Sequence, residues 1–146
     1  MKINVSEIPK NGLVLEERST GKDLDIQRKD LEFNEPIKMK ASVNCEYDNV
    51  LIHLSVEATA EFPCSRCLER GYYNIKKEID IVRPLSESKV IDINEIAKDE
   101  LILDYPIKLL CREDCNGICP GCGNNLNKRQ CVCFDKQEFT RGIEIN

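Results

Sequence analysis

The sequence has few of the features that mark an enzyme. His53 is its only histidine, and it contains no P-loop, G-x-G-x-x-G, G-x-S-x-G or H-E-x-x-H motif. A hydrolytic zinc site normally combines histidine ligands with an open coordination position and a nearby acid or base. His53 alternates with the apolar residues of segment 50–56, so we expect it on the solvent face of a strand. The sequence therefore predicts a protein that is not an enzyme.

Long hydrophobic runs and an excess of positive charge are also missing. No apolar stretch approaches the ~20 residues that span a bilayer. The chain opens on Met1-Lys2-Ile3-Asn4 without an apolar signal region, so we expect no membrane insertion and a cytosolic compartment. The net charge of −5 argues against nucleic-acid binding through bulk electrostatics alone.

Cysteine, in contrast, is abundant. Eight of the nine cysteines form four close pairs: Cys64 and Cys67, Cys111 and Cys115, Cys119 and Cys122, Cys131 and Cys133. Two thiolates with two residues between them can both lie about 2.3 Å from one zinc ion. Four pairs therefore predict two four-cysteine sites and two zinc ions. A disulfide framework is the alternative, and a reducing cytosol disfavours it.

Loop length favours one combination of these pairs. Cys119/Cys122 can close on Cys131/Cys133 through the short segment 123–130. Cys64/Cys67 would then close on Cys111/Cys115, because the entropy cost of a longer loop grows only as the logarithm of its length. Combining Cys111/Cys115 with Cys119/Cys122 would crowd four ligands into segment 111–122, and it stays open as an alternative.

Other uses of the cysteines are less favoured by their context. Four thiolates can also hold iron, as in an electron carrier. A thioredoxin-like redox role requires an isolated C-x-x-C at the start of a helix, which this arrangement does not offer. Cys45 stands alone in Val43-Asn44-Cys45-Glu46, and we predict it to be a small buried hydrophobic residue.

Hydrophobic alternation predicts strands before the cysteine-rich part. Segments 37–43, 50–62 and 73–82 alternate, with a turn at 47–49 between the first two. The first cysteine pair would lie in the connection 64–71, at the tip of a hairpin. Segments 2–5 and 13–15 predict further strands of the same sheet.

One helix is predicted after the strands. Asp92-Ile93-Asn94-Glu95 resembles a capping box, which predicts a helix to about Leu103 that Pro106 ends. The predicted fold is a β-rich α+β fold, with an antiparallel sheet or partial barrel, one main helix and a C-terminal zinc-knuckle loop region. We divide it into a β-rich body at 1–110 and a cysteine-rich region at 111–146.

Three segments together resemble a known family. Cys64-Ser65-Arg66-Cys67-Leu68-Glu69 is followed by segment 110–127, which contains Cys119-Pro120-Gly121-Cys122, and by Cys131-Val132-Cys133. This pattern resembles the YceD family, bacterial and plastid proteins named for the accumulation of large-subunit ribosomal RNA. The resemblance implies a cytoplasmic, non-catalytic factor in 23S ribosomal RNA accumulation and ribosome biogenesis.

The resemblance also suggests partners. We expect large-subunit ribosomal RNA, a ribosomal protein or both, and no small-molecule substrate. The side chains expected to contact phosphates are basic residues near the cysteine pairs: Arg66, Arg70, Lys76, Lys77, Lys128 and Arg129. The alternative is a zinc-ribbon protein-interaction module without RNA contact, since the acidic excess in segment 41–110 suits a basic partner.

Overall fold

The computed structural model describes residues 1–87 and 89–135. The chain forms two compact units. The first contains Met1–Phe62 and Tyr72–Ile107, and the second contains Pro63–Gly71 and Lys108–Asn146. Residues 136–146 of the predicted cysteine-rich region lie outside the described residues. The predicted division at residue 110 stays a prediction.

Strands dominate the regular structure of the described residues. The main helix is α1 (Ile93–Leu103), and two short 3-10 helices occupy Val5–Glu7 and Val132–Asp135. The six strands are β1 (Lys2–Asn4), β2 (Leu13–Ser19), β3 (Ile37–Glu46), β4 (Asn49–Pro63), β5 (Arg70–Pro84) and β6 (Val90–Asp92). The predicted strand-rich fold with antiparallel sheets and one main helix is therefore confirmed.

The main sheet has four strands in the order β2-β3-β4-β5. β3 pairs with both β2 and β4 in antiparallel register, and its hairpin with β4 turns at Tyr47 and Asp48, as the sequence predicts. Between β4 and β5, His53 contacts Asp80 and Glu57 contacts Lys76. Residue numbers therefore rise along β4 as they fall along β5, as in an antiparallel pair. In the described residues the sheet stays open, with β2 and β5 at its edges, and does not close into a barrel.

The two faces of the sheet follow the predicted alternation. The inward positions of β3 and β4 are fully or almost fully buried: Ile37, Met39, Ala41, Val43, Val50, Ile52, Leu54 and Val56. His53 lies on the opposite face with its side chain 50% exposed, so its predicted orientation is confirmed. Its Nδ1 lies 2.7 Å from Asp80 Oδ1, and this hydrogen bond raises the pKa of His53.

The helix begins as the capping pattern predicts. Asp92 is the N-cap, and its Oδ1 accepts hydrogen bonds from the backbone N–H groups of Asn94 and Glu95. Ile93, Ala97 and Leu101 form the buried face of α1. Within the described residues, no helix is long and apolar enough to cross a membrane.

Two predictions about the first unit are wrong. β1 does not join the main sheet but pairs with β6 in a separate two-stranded sheet. Cys45 is exposed rather than buried. It follows the last buried position of β3, Val43, and lies next to the hairpin turn, where the strand extends past the packed part of the sheet.

Candidate metal centres

Two turns in the second unit share one backbone geometry. In the first turn, which connects β4 to β5, the Leu68 N–H donates to the Cys64 carbonyl at 2.9 Å. In the second turn, the Gly123 N–H donates to the Cys119 carbonyl at 2.8 Å. Leu68 and Gly123 both have positive φ angles, 62° and 73°. The residue after each C-x-x-C therefore reverses the chain. Its left-handed backbone conformation has no steric cost for glycine but strains leucine.

The first group of thiols is built from Cys64, Cys67, Cys111 and Cys115. All four Sγ atoms lie within 4.8 Å of one another. The Cys64–Cys115 and Cys67–Cys111 sulfur pairs are 3.7 and 3.6 Å apart. A tetrahedral zinc site with 2.3 Å bonds requires sulfurs about 3.8 Å apart. Three of these cysteines are buried and pack with Leu110, so the donor set fits a closed structural zinc site.

The second group is built from Cys119, Cys122, Cys131 and Cys133, whose Sγ atoms also lie within 4.8 Å of one another. The Cys131 sulfur is 3.2 Å from those of Cys119 and Cys122. Backbone N–H groups point at the sulfurs, from Gly121 to Cys119 at 3.4 Å and from Cys133 to Cys131 at 3.3 Å. Such donors stabilise thiolates, the form that binds metal.

The acidity of the thiols is uneven within each group. Burial raises the pKa of Cys64, but hydrogen bonds from surrounding backbone N–H groups outweigh burial and lower that pKa to about 6. A hydrogen bond with Cys131, together with backbone N–H groups, lowers the pKa of Cys119 to about 7. Burial and neighbouring thiols raise the pKa of Cys111 to about 12. Clustered thiolates repel one another, and a divalent cation would compensate that repulsion.

The structure brings together all eight cysteines that the sequence predicts as ligands. They form the two groups that loop length favours, and Cys111/Cys115 do not combine with Cys119/Cys122. Among the described residues, Cys45 and His53 belong to neither group. Every cysteine is a free thiol, as a metal site requires.

One polar residue beside the first group has no counterpart in the sequence prediction. The Nδ2 atom of Asn127 donates to Cys115 Sγ at 3.3 Å, although Asn127 lies in the segment that connects the two halves of the second group. An asparagine between two cysteine pairs carries no specific sequence signal, because its contact depends on how the segment folds back.

Four of the predicted RNA-binding residues lie in the second unit. Arg66 is exposed, and its Nη1 donates to the Cys115 carbonyl at 2.9 Å. Lys128 forms an ion pair with Glu69. Arg70 and Arg129 are exposed, and the Arg129 side chain has no ion-pair or hydrogen-bond partner within residues 1–87 and 89–135.

The other two predicted RNA-binding residues lie on β5 in the first unit. Lys76 is exposed and forms an ion pair with Glu57 at 3.2 Å. Lys77 lies 3.1 Å from Asp104 and 3.6 Å from Glu100, at the C-terminal end of α1. The hydrogen bond to Asp104 raises the pKa of Lys77. Lys77 is only 27% exposed, and its contacts connect β5 to the helix.

Comparisons with known proteins relate part of the chain to one family. The model of a family described as "Large ribosomal RNA subunit accumulation protein YceD" matches residues 74–141. The "Large ribosomal RNA subunit accumulation protein YCED homolog 1, chloroplastic" of Arabidopsis thaliana is 45% identical over 56 residues, which cover 38% of this chain and 17% of that protein.

A second relative aligns over more of the chain. "Uncharacterized protein ML1660" of Mycobacterium leprae (strain TN) is 26% identical over 112 residues, which cover 66% of this chain and 52% of that protein. The chain therefore spans 52% or less of the length of either relative. No solved structure matches the chain.

Proposed function

We propose that the chain belongs to the YceD family and is a zinc-stabilised, non-catalytic factor of the bacterial cytoplasm that supports 23S ribosomal RNA accumulation. In this role it would bind large-subunit ribosomal RNA, a ribosomal protein or both during ribosome biogenesis. The family description names the RNA. The observation that carries the zinc part is the pair of four-thiol groups in the second unit.

Zinc is the ion that best suits these donors. Four thiolates and a closed, partly buried site are typical of structural zinc, whereas a catalytic site keeps an open coordination position. The eight cysteines would hold two ions, with Cys64, Cys67, Cys111 and Cys115 on one and Cys119, Cys122, Cys131 and Cys133 on the other. The ions would stabilise the loops that carry the basic residues rather than take part in a reaction.

We expect the purified chain to contain two zinc ions, and Cys64→Ser and Cys119→Ser variants to contain about one each. A serine hydroxyl is a poor zinc ligand, so each change opens one group. Elemental analysis measures the stoichiometry. Cys45→Ser is the matched control and should retain both ions, since Cys45 lies outside both groups. A coloured, iron-containing chain, or zinc lost only with Cys119→Ser, would contradict the proposal.

RNA binding is supported by the exposure of the basic residues in the second unit. Arg66, Arg70, Lys128 and Arg129 are all exposed, on or beside the loops that carry the cysteines. Phosphate contacts of this kind position a protein on RNA without reading its sequence. Lys76 and Lys77 stay in the proposed set, although Lys77 would first have to give up its contacts with α1.

We expect the Arg70→Glu/Arg129→Glu variant to bind 23S ribosomal RNA roughly tenfold more weakly than the unchanged protein, because two phosphate contacts are lost. Each lost phosphate contact also lowers the slope of log affinity against log salt by about one. Filter binding with the zinc-loaded chain and in vitro transcribed 23S RNA, at several salt concentrations, measures both quantities.

The control for this experiment is Lys10→Glu/Lys22→Glu. Both lysines are exposed in the first unit, and the variant has the same change in net charge. Equal weakening by the two variants would show a nonspecific charge effect. If RNA affinity were unchanged in Arg70→Glu/Arg129→Glu, or insensitive to salt, these arginines would not form an RNA-binding surface. The alternative, a zinc-ribbon protein-interaction module without RNA contact, would then be favoured.

A further inference from the structure

The side chain of Asn127 contacts the first cysteine group, although the residue lies between two cysteine pairs of the second. It lies in segment 123–130, which connects Cys122 to Cys131 of the second group. Its Nδ2 nevertheless donates to Cys115 Sγ of the first group at 3.3 Å. A hydrogen bond to a coordinating sulfur stabilises the thiolate and fixes its direction toward the metal.

The acceptor end of the same amide holds the loop of the first group. Asn127 Oδ1 accepts from the Asn116 backbone N–H and from Arg112 Nη2, both at 2.8 Å. Arg112 and Asn116 each lie one residue from a cysteine of that group, Cys111 and Cys115. One side chain therefore contacts both the sulfur and the backbone of the first site.

Asn127 is itself held in place by its own segment. Its backbone N–H and its Nδ2 both lie 2.9 Å from Asn125 Oδ1, and an amide has two N–H donors to share between Asn125 and the sulfur. Beside it, the Leu126 N–H donates to the Gly117 carbonyl at 2.9 Å. Gly117 has a φ of +74°, and a Cβ there would lie 3.1 Å from the Arg66 carbonyl oxygen. The segment therefore packs closely on the first group.

We propose that Asn127 is a positioning residue for the first zinc site and that it makes zinc affinity there depend on zinc at the second site. This inference rests on the proposed zinc binding. The ion at the second site would close segment 123–130 and so hold Asn127 against Cys115. Without that ion the segment would be held by its hydrogen bonds and by the Lys128–Glu69 ion pair alone, and the contact with the sulfur would be formed for a smaller fraction of the time.

Cadmium-113 NMR of the full chain separates the two sites, since each four-thiolate site gives its own signal. Variants that lack one site, Cys64→Ser/Cys67→Ser and Cys119→Ser/Cys122→Ser, assign the signals. Competition with a chelator then gives the affinity of the first site. We expect Asn127→Ala to lower that affinity about tenfold, as residues that support metal ligands commonly do. Because coupling between two sites is reciprocal, the second site should keep its affinity only where the first site is absent, as in the Cys64→Ser/Cys67→Ser variant.

The coupling itself is tested by combining changes. Removal of the second site should also weaken the first, and adding Asn127→Ala to that variant should weaken it little further. Fully additive effects, or an unchanged first site in Asn127→Ala, would overturn the proposal. If neither cadmium signal appeared in the unsubstituted chain, the zinc proposal itself would fail, which is a different result.

Two further variants test the contact with sulfur. Asn127→Asp keeps the oxygen that accepts from Asn116 and Arg112, but it replaces the N–H donor with a second oxygen. It should therefore weaken the first site at least as much as alanine does, and full affinity in this variant would overturn the proposed role of the donor. Asn124→Ala is the matched control in the same segment. Asn124 is exposed, its side chain has no partner in the described part of the chain, and the change should leave both sites unaltered.

Discussion

Removal of zinc by a chelator is expected to unfold the second unit and leave the strands of the first unit folded. In the described part of the second unit, the buried side chains are all cysteines: Cys64, Cys67, Cys115 and Cys119. Leu110 and Cys111 pack against the first three. Binding energies of structural zinc are of order 10 kcal/mol, and in small metal-binding units this energy is the folding energy. The first unit has its own apolar core, which includes buried residues of β3, β4 and α1.

Hydrogen exchange followed by mass spectrometry on the full chain measures this effect. After chelation, amides in segments 63–71 and 108–133 should lose protection, while those of β3 and β4 within 39–60 retain it. Added zinc should restore the protection, which separates metal loss from irreversible damage. Protection that persists in 108–133 without metal, or a simultaneous loss in β3, would contradict a separate, zinc-dependent second unit.

Short-range geometry explains part of the grouping of the cysteines. Each C-x-x-C pair places two sulfurs on one turn, and the short segment 123–130 keeps the entropy cost of joining Cys122 to Cys131 low. The spacing of the cysteines does not predict the contact between the two groups. The hydrogen bond from Asn127 to Cys115 depends on the fold of the whole segment, so no local pattern predicts it.

The strands show the same division between local and long-range information. β3 and β4 are long and half buried, so their alternation identifies their inward face and most of their extent, although β3 continues three residues past the predicted segment 37–43. β1 and β6 have three residues each, too few for a pattern, and their pairing joins distant parts of the chain. For Cys45, the prediction rests on the general tendency of free cysteines to be buried, and only the structure shows that buried positions of β3 end at Val43.

The role of Lys77 also depends on tertiary contacts. In the sequence it is one of several basic residues near the first cysteine pair. In the structure it contacts two carboxylates at the end of α1, a helix that begins many residues later in the chain. Charge counts along a sequence cannot distinguish a cation available to a partner from one that already connects two elements of the fold.

The core of the first unit supplies the other large effect. Leu54→Ala is expected to lower the free energy of unfolding of the first unit by about 3 kcal/mol. Leu54 lies on β4, between β3 and β5, and its side chain is fully buried. Truncation removes apolar contacts and leaves a cavity that neighbouring strands cannot easily fill, because their hydrogen bonds fix their spacing.

Urea denaturation followed by circular dichroism, with zinc held constant, measures the change in midpoint. Leu103→Ala removes the same atoms from a side chain that is 76% exposed at the end of α1, so it should cost less than about 1 kcal/mol. Zinc content should stay at two ions in both variants if the second unit draws its stability from metal. Equal destabilisation by the two changes would show that β4 is not the centre of the core, and loss of zinc in Leu54→Ala would show that the two units depend on each other.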